Sequence, residues 1–185
     1  MDASFTLFAT PLGPCGLVWG EHGICGVELP GRDQAATRAR LLRRYPGSKE
    51  APPPADIGAA RDAIVALLGG ENRDLGDIAL DMGGQPTLNR RVYEIARTIA
   101  PGTTLTYGEI AIKLGDRTLA QAVGQALGKN PYPIIVPCHR VLASGGKIGG
   151  FSAPTGIALK RKLLAIESVH ARGAPNLFDC LLQAS

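Results

Sequence analysis

The sequence predicts a mixed α/β protein in two parts, a strand-and-helix N-terminal half and a helical C-terminal half. Three observations lead there. Apolar and small residues alternate from Phe5 to Leu29 between turn signals at Pro11–Gly13 and Glu21–Gly23, as in a hairpin of short strands. Gly83-Gly84-Gln85-Pro86 interrupts the pattern as a linker, and two short helical segments then follow, separated only by Gly115-Asp116.

Each element has its own local reason. A helix is expected from about Asp33 to Tyr45, and a loop over Pro46–Pro54, because three consecutive prolines lack amide donors. Ile57, Ile64, Leu67 and Leu68 mark a second amphipathic helix that stops at Gly69-Gly70, and Ile78, Leu80 and Met82 alternate as a last strand. The domains read as 1–85, 86–170 and a tail, 171–185. Beyond the linker, Leu88, Val92, Ile95 and Ile99 share one helical face, with Thr87 as cap and Pro101-Gly102 as stop. Thr106 and Glu109 form a T-x-x-E capping box ahead of Ile110 and Leu114. The next helix, about Arg117 to Leu127, completes helix-turn-helix spacing.

Composition narrows the class. Apolar residues make up 45% and charged residues 19% of the 185, which excludes wholesale disorder and fibrous repeats. Cys15, Cys25, Cys138 and Cys180 form no CxxC pair, so a reducing cytosol is expected rather than a disulfide framework or zinc ribbon. No apolar run reaches spanning length and the N-terminus offers no leader, so the chain is expected to be neither embedded nor exported. Residues 1–85 carry eight Lys/Arg against eleven Asp/Glu, a net −3, whereas 86–170 carry eleven against four, a net +7. That asymmetry points the C-terminal half toward a polyanion, with a solvated basic surface as the alternative.

The helix after Gly115-Asp116 is unusual in its polar face. Leu119, Val123, Ala126 and Leu127 form its apolar side, while Gln121, Gly124, Gln125 and Gly128 recur on the other. Each helical glycine costs about 1 kcal/mol relative to alanine. Such a face suits close approach, either to a flat partner or to the rest of the protein.

Chemistry concentrates in Asn130-Pro131-Tyr132-Pro133-Ile134-Ile135-Val136-Pro137-Cys138-His139-Arg140-Val141. A buried β-branched run ends in a thiol, an imidazole and a guanidinium. Thiolate is the nucleophile, and a neighbouring base or cation produces it. His139 offers the base and Arg140 the positive charge. Adjacent side chains diverge, so a water or a third group would relay the proton. A buried structural cysteine is the alternative.

The run NPxPxxxPCHRV, with Gly149-Gly150-Phe151-Ser152 and Lys160 through Leu164 to Glu167, resembles the O6-alkylguanine-DNA alkyltransferases, or methylated-DNA-protein-cysteine methyltransferases, over about residues 86–167. The resemblance implies an N-terminal ribonuclease-H-like α/β domain and a C-terminal winged helix-turn-helix domain. It implies Cys138 as acceptor thiol, His139 as water-linked base, Glu167 as the carboxylate orienting it, Asn130 as the brace of the turn, and Tyr107 as the tyrosine that rotates the DNA phosphate and donates to the base. Gln121, Gly124, Arg140, Val141, Phe151 and Ser152 are expected against the DNA and its extruded base.

The implied reaction is irreversible, single-turnover alkyl transfer from guanine O6 in double-stranded DNA to Cys138, by a cytoplasmic monomer with no cofactor and no metal. The rival class, a non-enzymatic protein that binds alkylated DNA, replaces the acceptor cysteine; a plain helix-turn-helix regulator leaves PCHRV unexplained. Two departures stand out: Gln121 occupies the usual arginine position, and Phe151–Gly156 lengthens the pocket segment by two residues and lacks its tyrosine hydroxyl. Cys15 and Cys25 are read as small core residues of the hairpin rather than as metal ligands together with His22. The arginines 38, 40, 43 and 44 read as a solvated helix face, and Lys160, Arg161 and Lys162 as phosphate or solvent contacts.

Overall fold

The computed structural model describes residues 3–148 and 156–168. The N-terminal strands form a meander of β1 (Ser4–Thr10), β2 (Gly13–Gly20) and β3 (Gly23–Glu28), one strand more than a hairpin. Antiparallel pairing runs from Ser4↔Trp19 to Thr10↔Gly13 and from Gly16↔Glu28 to Gly20↔Gly23. Gly23 has φ +116°, and a Cβ there would lie 2.8 Å from the Ala79 carbonyl oxygen, so only glycine suits this turn.

Helix α1 (Gln34–Arg44) starts where Asp33 accepts from the Ala36 amide and ends at Tyr45. The expected loop at Pro46–Pro54 contains a two-residue strand, β4 (Lys49–Glu50), parallel to β1, which completes a sheet of order β3-β2-β1-β4. The prolines lie outside the two paired residues and therefore do not obstruct them. Helix α2 (Ala55–Leu68) is capped by Gly69.

Two expectations fail locally. The strand expected at Ile78–Met82 is reduced to a single parallel bridge, Ile24↔Leu80. Arg97 donates to the carbonyls of Leu75, Gly76 and Ile78, so a guanidinium takes acceptors that a strand would offer to a ladder. Thr87 is the first residue of α3 (Thr87–Arg97) rather than its cap; Pro86 is the extended flanking residue, with no side-chain cap, and the helix stops before Pro101.

β5 (Leu105–Thr106) leads into α4 (Tyr107–Lys113), where the Thr106/Glu109 capping box is formed in both directions. Gly115, at φ +97°, makes the turn. The next helix opens as a 3-10 turn over Arg117–Leu119, capped by Asp116, and continues as α5 (Ala120–Gly128). β6 (Val141–Leu142) pairs parallel with β5, and α6 (Gly156–Ser168) closes the described chain.

The principal core joins both halves: Leu17, Ile24, Ile64 and Leu67 lie in one cluster with Val92, Tyr93, Ile110, Val123, Ile135 and Val136. At about 1.5–3 kcal/mol per fully buried side chain, this shared core holds the sheet against the helices. Tyr93 adds a hydrogen bond to the Ala126 carbonyl at 3.0 Å and an edge-to-face contact with Tyr132 at 6.1 Å. The Val27 amide donates to the Pro131 carbonyl at 2.8 Å, fastening β3 to the segment that carries Cys138.

Candidate active site

The segment from Asn130 to Cys138 leaves α5 without room for another helical turn, because Pro131 and Pro133 supply no amide. Asn130 replaces the missing bonds. Its Oδ1 accepts from the Tyr132 amide and its Nδ2 donates to the Val136 carbonyl, each at 2.9 Å. Within this loop Ile134 adopts φ +76°, an outlier for a β-branched residue that only a buried, over-determined loop tolerates. Pro137 then passes the chain into a 3-10 turn over Cys138–Arg140.

Cys138 is 7% exposed. Burial pushes its thiol above the ordinary range, while the Asn130 side chain, the Lys160 ammonium and the amides of Cys138 and His139 pull it back. The thiol is thus protonated at rest, so the ionised sulfur expected beside Arg140 must be made by a base. His139, 0% exposed, is the neighbouring imidazole, and its Nε2 lies 2.8 Å from Glu167 Oε1. Burial lowers the imidazole below its ordinary value, so it is neutral at physiological pH. Glu167 accepts, which assigns the proton to Nε2 and leaves Nδ1 as a lone pair, buried and without a hydrogen-bond partner in the protein.

Glu167 is held ionised. Burial alone would raise its carboxyl, but His139 and Arg140 together bring it below the usual carboxylate range. Arg140 grips it with two bonds, Nε to Oε2 at 2.9 Å and a terminal nitrogen to Oε1 at 2.8 Å, and also donates to the Ile99 carbonyl. The substrate contact expected of Arg140 is therefore corrected: it is buried, its charge is neutralised by Glu167, and it orients the carboxylate behind the histidine. Val141, likewise expected against substrate, is buried in β6, and Lys160 takes its carbonyl at 2.6 Å.

Lys160 was expected at phosphates or solvent and is instead fully buried. Its Nζ lies 6.0 Å from the Tyr107 ring centroid and is coupled to Cys138. Burial lowers this ammonium and Cys138 raises it. The one available signal lay in α6: Lys160 shares a helical face with Leu159, Leu163, Leu164 and Glu167, whereas Arg161 and Lys162 point away. Parallel pairing of Leu105 with Val141 and Thr106 with Leu142 brings Tyr107 beside the cysteine turn, and burial raises the phenol while Cys138 raises it further.

On α5, Val123, Ala126 and Leu127 are buried while Gln121, Gln125 and Gly128 are exposed. A Cβ on Gly124 would come no closer than 3.9 Å to the Tyr107 ring, so packing within the protein does not demand glycine there. The face is open to a partner. Phe151 and Ser152, with the rest of the pocket segment and the tail, lie outside the described residues. Cys15 is buried, Cys25 hydrogen-bonds to Asp81, and among the described residues no three His, Cys, Asp or Glu side chains converge as a metal site.

A buried thiol, a neutral histidine hydrogen-bonded to a carboxylate and a polar helix face make up the candidate site. Residues 87–169 match the family model for the DNA-binding domain of 6-O-methylguanine DNA methyltransferase. A methylated-DNA--protein-cysteine methyltransferase of Methanothermobacter thermautotrophicus is 35% identical over 163 residues, covering 88% of this chain and 84% of that protein. The chain belongs to the methylated-DNA--protein-cysteine methyltransferase family. Another relative of this methyltransferase chain is the DNA base-flipping protein of Thermus thermophilus, 35% identical over 81% of this chain and 91% of that protein. Among solved structures, the Mycobacterium tuberculosis family member in complex with DNA superposes with TM-score 0.74 at 32% identity, covering 90% of this chain and 93% of that one. The family's mixed α/β architecture is the one described above.

Proposed function

We propose that this chain repairs alkylated double-stranded DNA by moving an alkyl group from guanine O6 to its own Cys138, once per molecule. The observation that carries the reading is the network linking Asn130, Cys138, His139 and Glu167. DNA meets the Gln121–Gly128 face of α5, and the basic C-terminal half neutralises phosphates. The modified nucleotide is turned out of the stack at a cost of a few kcal/mol.

The Cys138 proton passes, through a bridging water, to the Nδ1 lone pair of His139, and Glu167 stabilises the imidazolium. The sulfur attacks the alkyl carbon, the S–C bond forms as the C–O bond breaks, and the electron pair goes to the purine. Tyr107 donates a hydrogen bond to the base as that charge develops, and the thiol proton, passed on from the imidazolium, ends on the restored guanine, which stays in the DNA. The products are guanine and an S-alkyl cysteine. A thioether does not hydrolyse, so no turnover follows.

Asn130 fixes the turn, and Gln121 fills the vacated stack in place of arginine. Phe151 and Ser152 line the base pocket. The two parts meet at residue 85/86, where the chain turns from the Gln85 amide to the Met82 carbonyl, and share one core. Free Cys15, Cys25 and Cys138 support a reducing, cytoplasmic setting, and no described helix is long and apolar enough to cross a membrane. The chain acts as a monomer, with no cofactor or metal.

Incubation with O6-methylguanine DNA followed by intact mass measurement tests the reading. One added methyl is expected on Cys138, and none in Cys138→Ser. An unchanged wild-type mass alongside retained DNA binding would place this chain with lesion binders.

A further inference from the structure

We propose that a cleft between the two halves, with Arg44 and Lys129 in its exposed lining, is an anion site for a DNA backbone phosphate a few nucleotides from the extruded base. The proposal rests on the reading that α5 meets DNA. The cleft has a volume of ≈ 520 Å³ and is floored by Tyr45, Tyr132 and Pro131. Arg44 comes from the last turn of α1 and Lys129 from the end of α5, so the two cations belong to different halves of the chain.

Neither cation has an acidic partner among the described residues. The Arg44 guanidinium carbon lies 5.7 Å from the Tyr45 ring centroid, and this stacking limits its directions before any ligand arrives. Both tyrosine hydroxyls and the aspartate of the cleft are already engaged, whereas the Gln85 side chain also lines it. The Tyr45 hydroxyl donates to the Cys25 carbonyl at 3.1 Å and the Tyr132 hydroxyl to the Asp81 carbonyl. The Asp81 carboxylate accepts from the Gly83 amide at 3.1 Å and lies 3.9 Å from the Cys25 sulfur. The charged donors left to recruit a ligand are thus a planar fork and an ammonium, which suit the two unesterified oxygens of a phosphodiester.

Position selects DNA as the source. Lys129 continues the exposed Gln121, Gln125 and Gly128 face. At 1.5 Å per residue it lies about 12 Å along the helix from Gln121, or about three to four nucleotide rises of 3.4 Å. A strand following α5 from the extruded base therefore reaches Lys129, and Arg44 extends the track onto the N-terminal half.

The test uses the full chain with Arg44→Ala and Lys129→Ala, titrated with unmodified duplexes trimmed stepwise from either end. Each substitution is expected to weaken binding to the longest duplex about three- to tenfold and to reduce the salt slope by about one. Trimming one particular flank should abolish the difference. Duplex should also shield Cys25 from maleimide, read by peptide mass mapping, whereas inorganic phosphate at equal phosphate concentration should not. Unchanged affinity and slope in both variants would overturn the site. Protection of Cys25 by inorganic phosphate but not by duplex would overturn DNA as its ligand. A wild-type chain that binds no duplex and gains no methyl overturns the repair reading itself; methyl gain with unchanged variant binding overturns the phosphate site alone.

Discussion

Lys160, fully buried on α6, donates to the Val141 carbonyl at 2.6 Å, two residues beyond His139. An ammonium inside the protein carries a desolvation cost, and its coupling to Cys138 gives that cost a chemical return. Lys160→Met is expected to raise the thiol's pKa, because the cation that favours thiolate is gone. Methyl transfer should slow at neutral pH and recover partly as pH rises. A pH–rate profile superimposable on wild type would show that the lysine only packs.

Stability should fall on the acid side in two stages. His139 has a folded pKa below its unfolded value of about 6.5, so the unfolded state binds more protons and stability is lost as pH falls from there. Glu167, also depressed, contributes stability that is present above about 4.3 and lost as pH falls further through its folded pKa. Denaturant midpoints measured across pH should be level above neutrality and decline from about pH 6.5. The His139→Asn variant should lack the upper stage; a decline identical to wild type would assign it elsewhere.

Glu167→Gln should be the most damaging conservative change. It removes the acceptor shared by His139 and Arg140 and leaves a buried guanidinium without its counter-ion, a loss of about 3–5 kcal/mol. In protein that remains folded, transfer should drop on the order of a hundredfold, since the imidazole is no longer aimed or stabilised. Thermal melts and single-turnover rates separate the two effects.

Gly124→Ala separates folding from binding. With 3.9 Å of clearance to Tyr107 the methyl fits, and replacing a helical glycine should stabilise by about 1 kcal/mol. DNA affinity should nonetheless weaken several-fold, because the methyl stands on the face proposed to meet the duplex. A variant that melts higher and binds equally well would mean that this surface stays clear of DNA.

Gln121→Arg should raise the transfer rate on duplex DNA. Gln121 is exposed, so the longer side chain costs the fold little, and a guanidinium stacks where an amide cannot. Single-turnover rates equal to or below wild type would show that glutamine is sufficient.

Local chemistry wrote much of this molecule legibly. The hairpin turns, both ends of α1, the stop of α2, the Thr106/Glu109 box and the sharp Gly115 turn are decided by residues within a few positions of each other, and these features formed as read. Asn130 and the Cys138-His139 pair stand out through the resemblance carried by NPxPxxxPCHRV, since spacing alone leaves a structural cysteine equally open. The strand at Ile78–Met82 misled because Arg97, about twenty residues on, takes the Ile78 carbonyl at its start together with those of Leu75 and Gly76 just before it.

What no local pattern could settle was which charges go inside. In the chain Arg140 reads as a charge beside the thiol and substrate, and for Lys160 the only hint is the helical face it shares with Leu159, Leu163, Leu164 and Glu167. Burial of one was set by Glu167, 27 residues away, and of the other by the Val141 carbonyl, 19 residues away. A charge is tolerated in the interior only when partners from distant segments converge on it, and convergence belongs to the packing of α6 against the cysteine turn. Residue types and their order marked the candidate nucleophile, its candidate base and the helix pair; the folded arrangement set their burial and, with it, the direction in which each titrates.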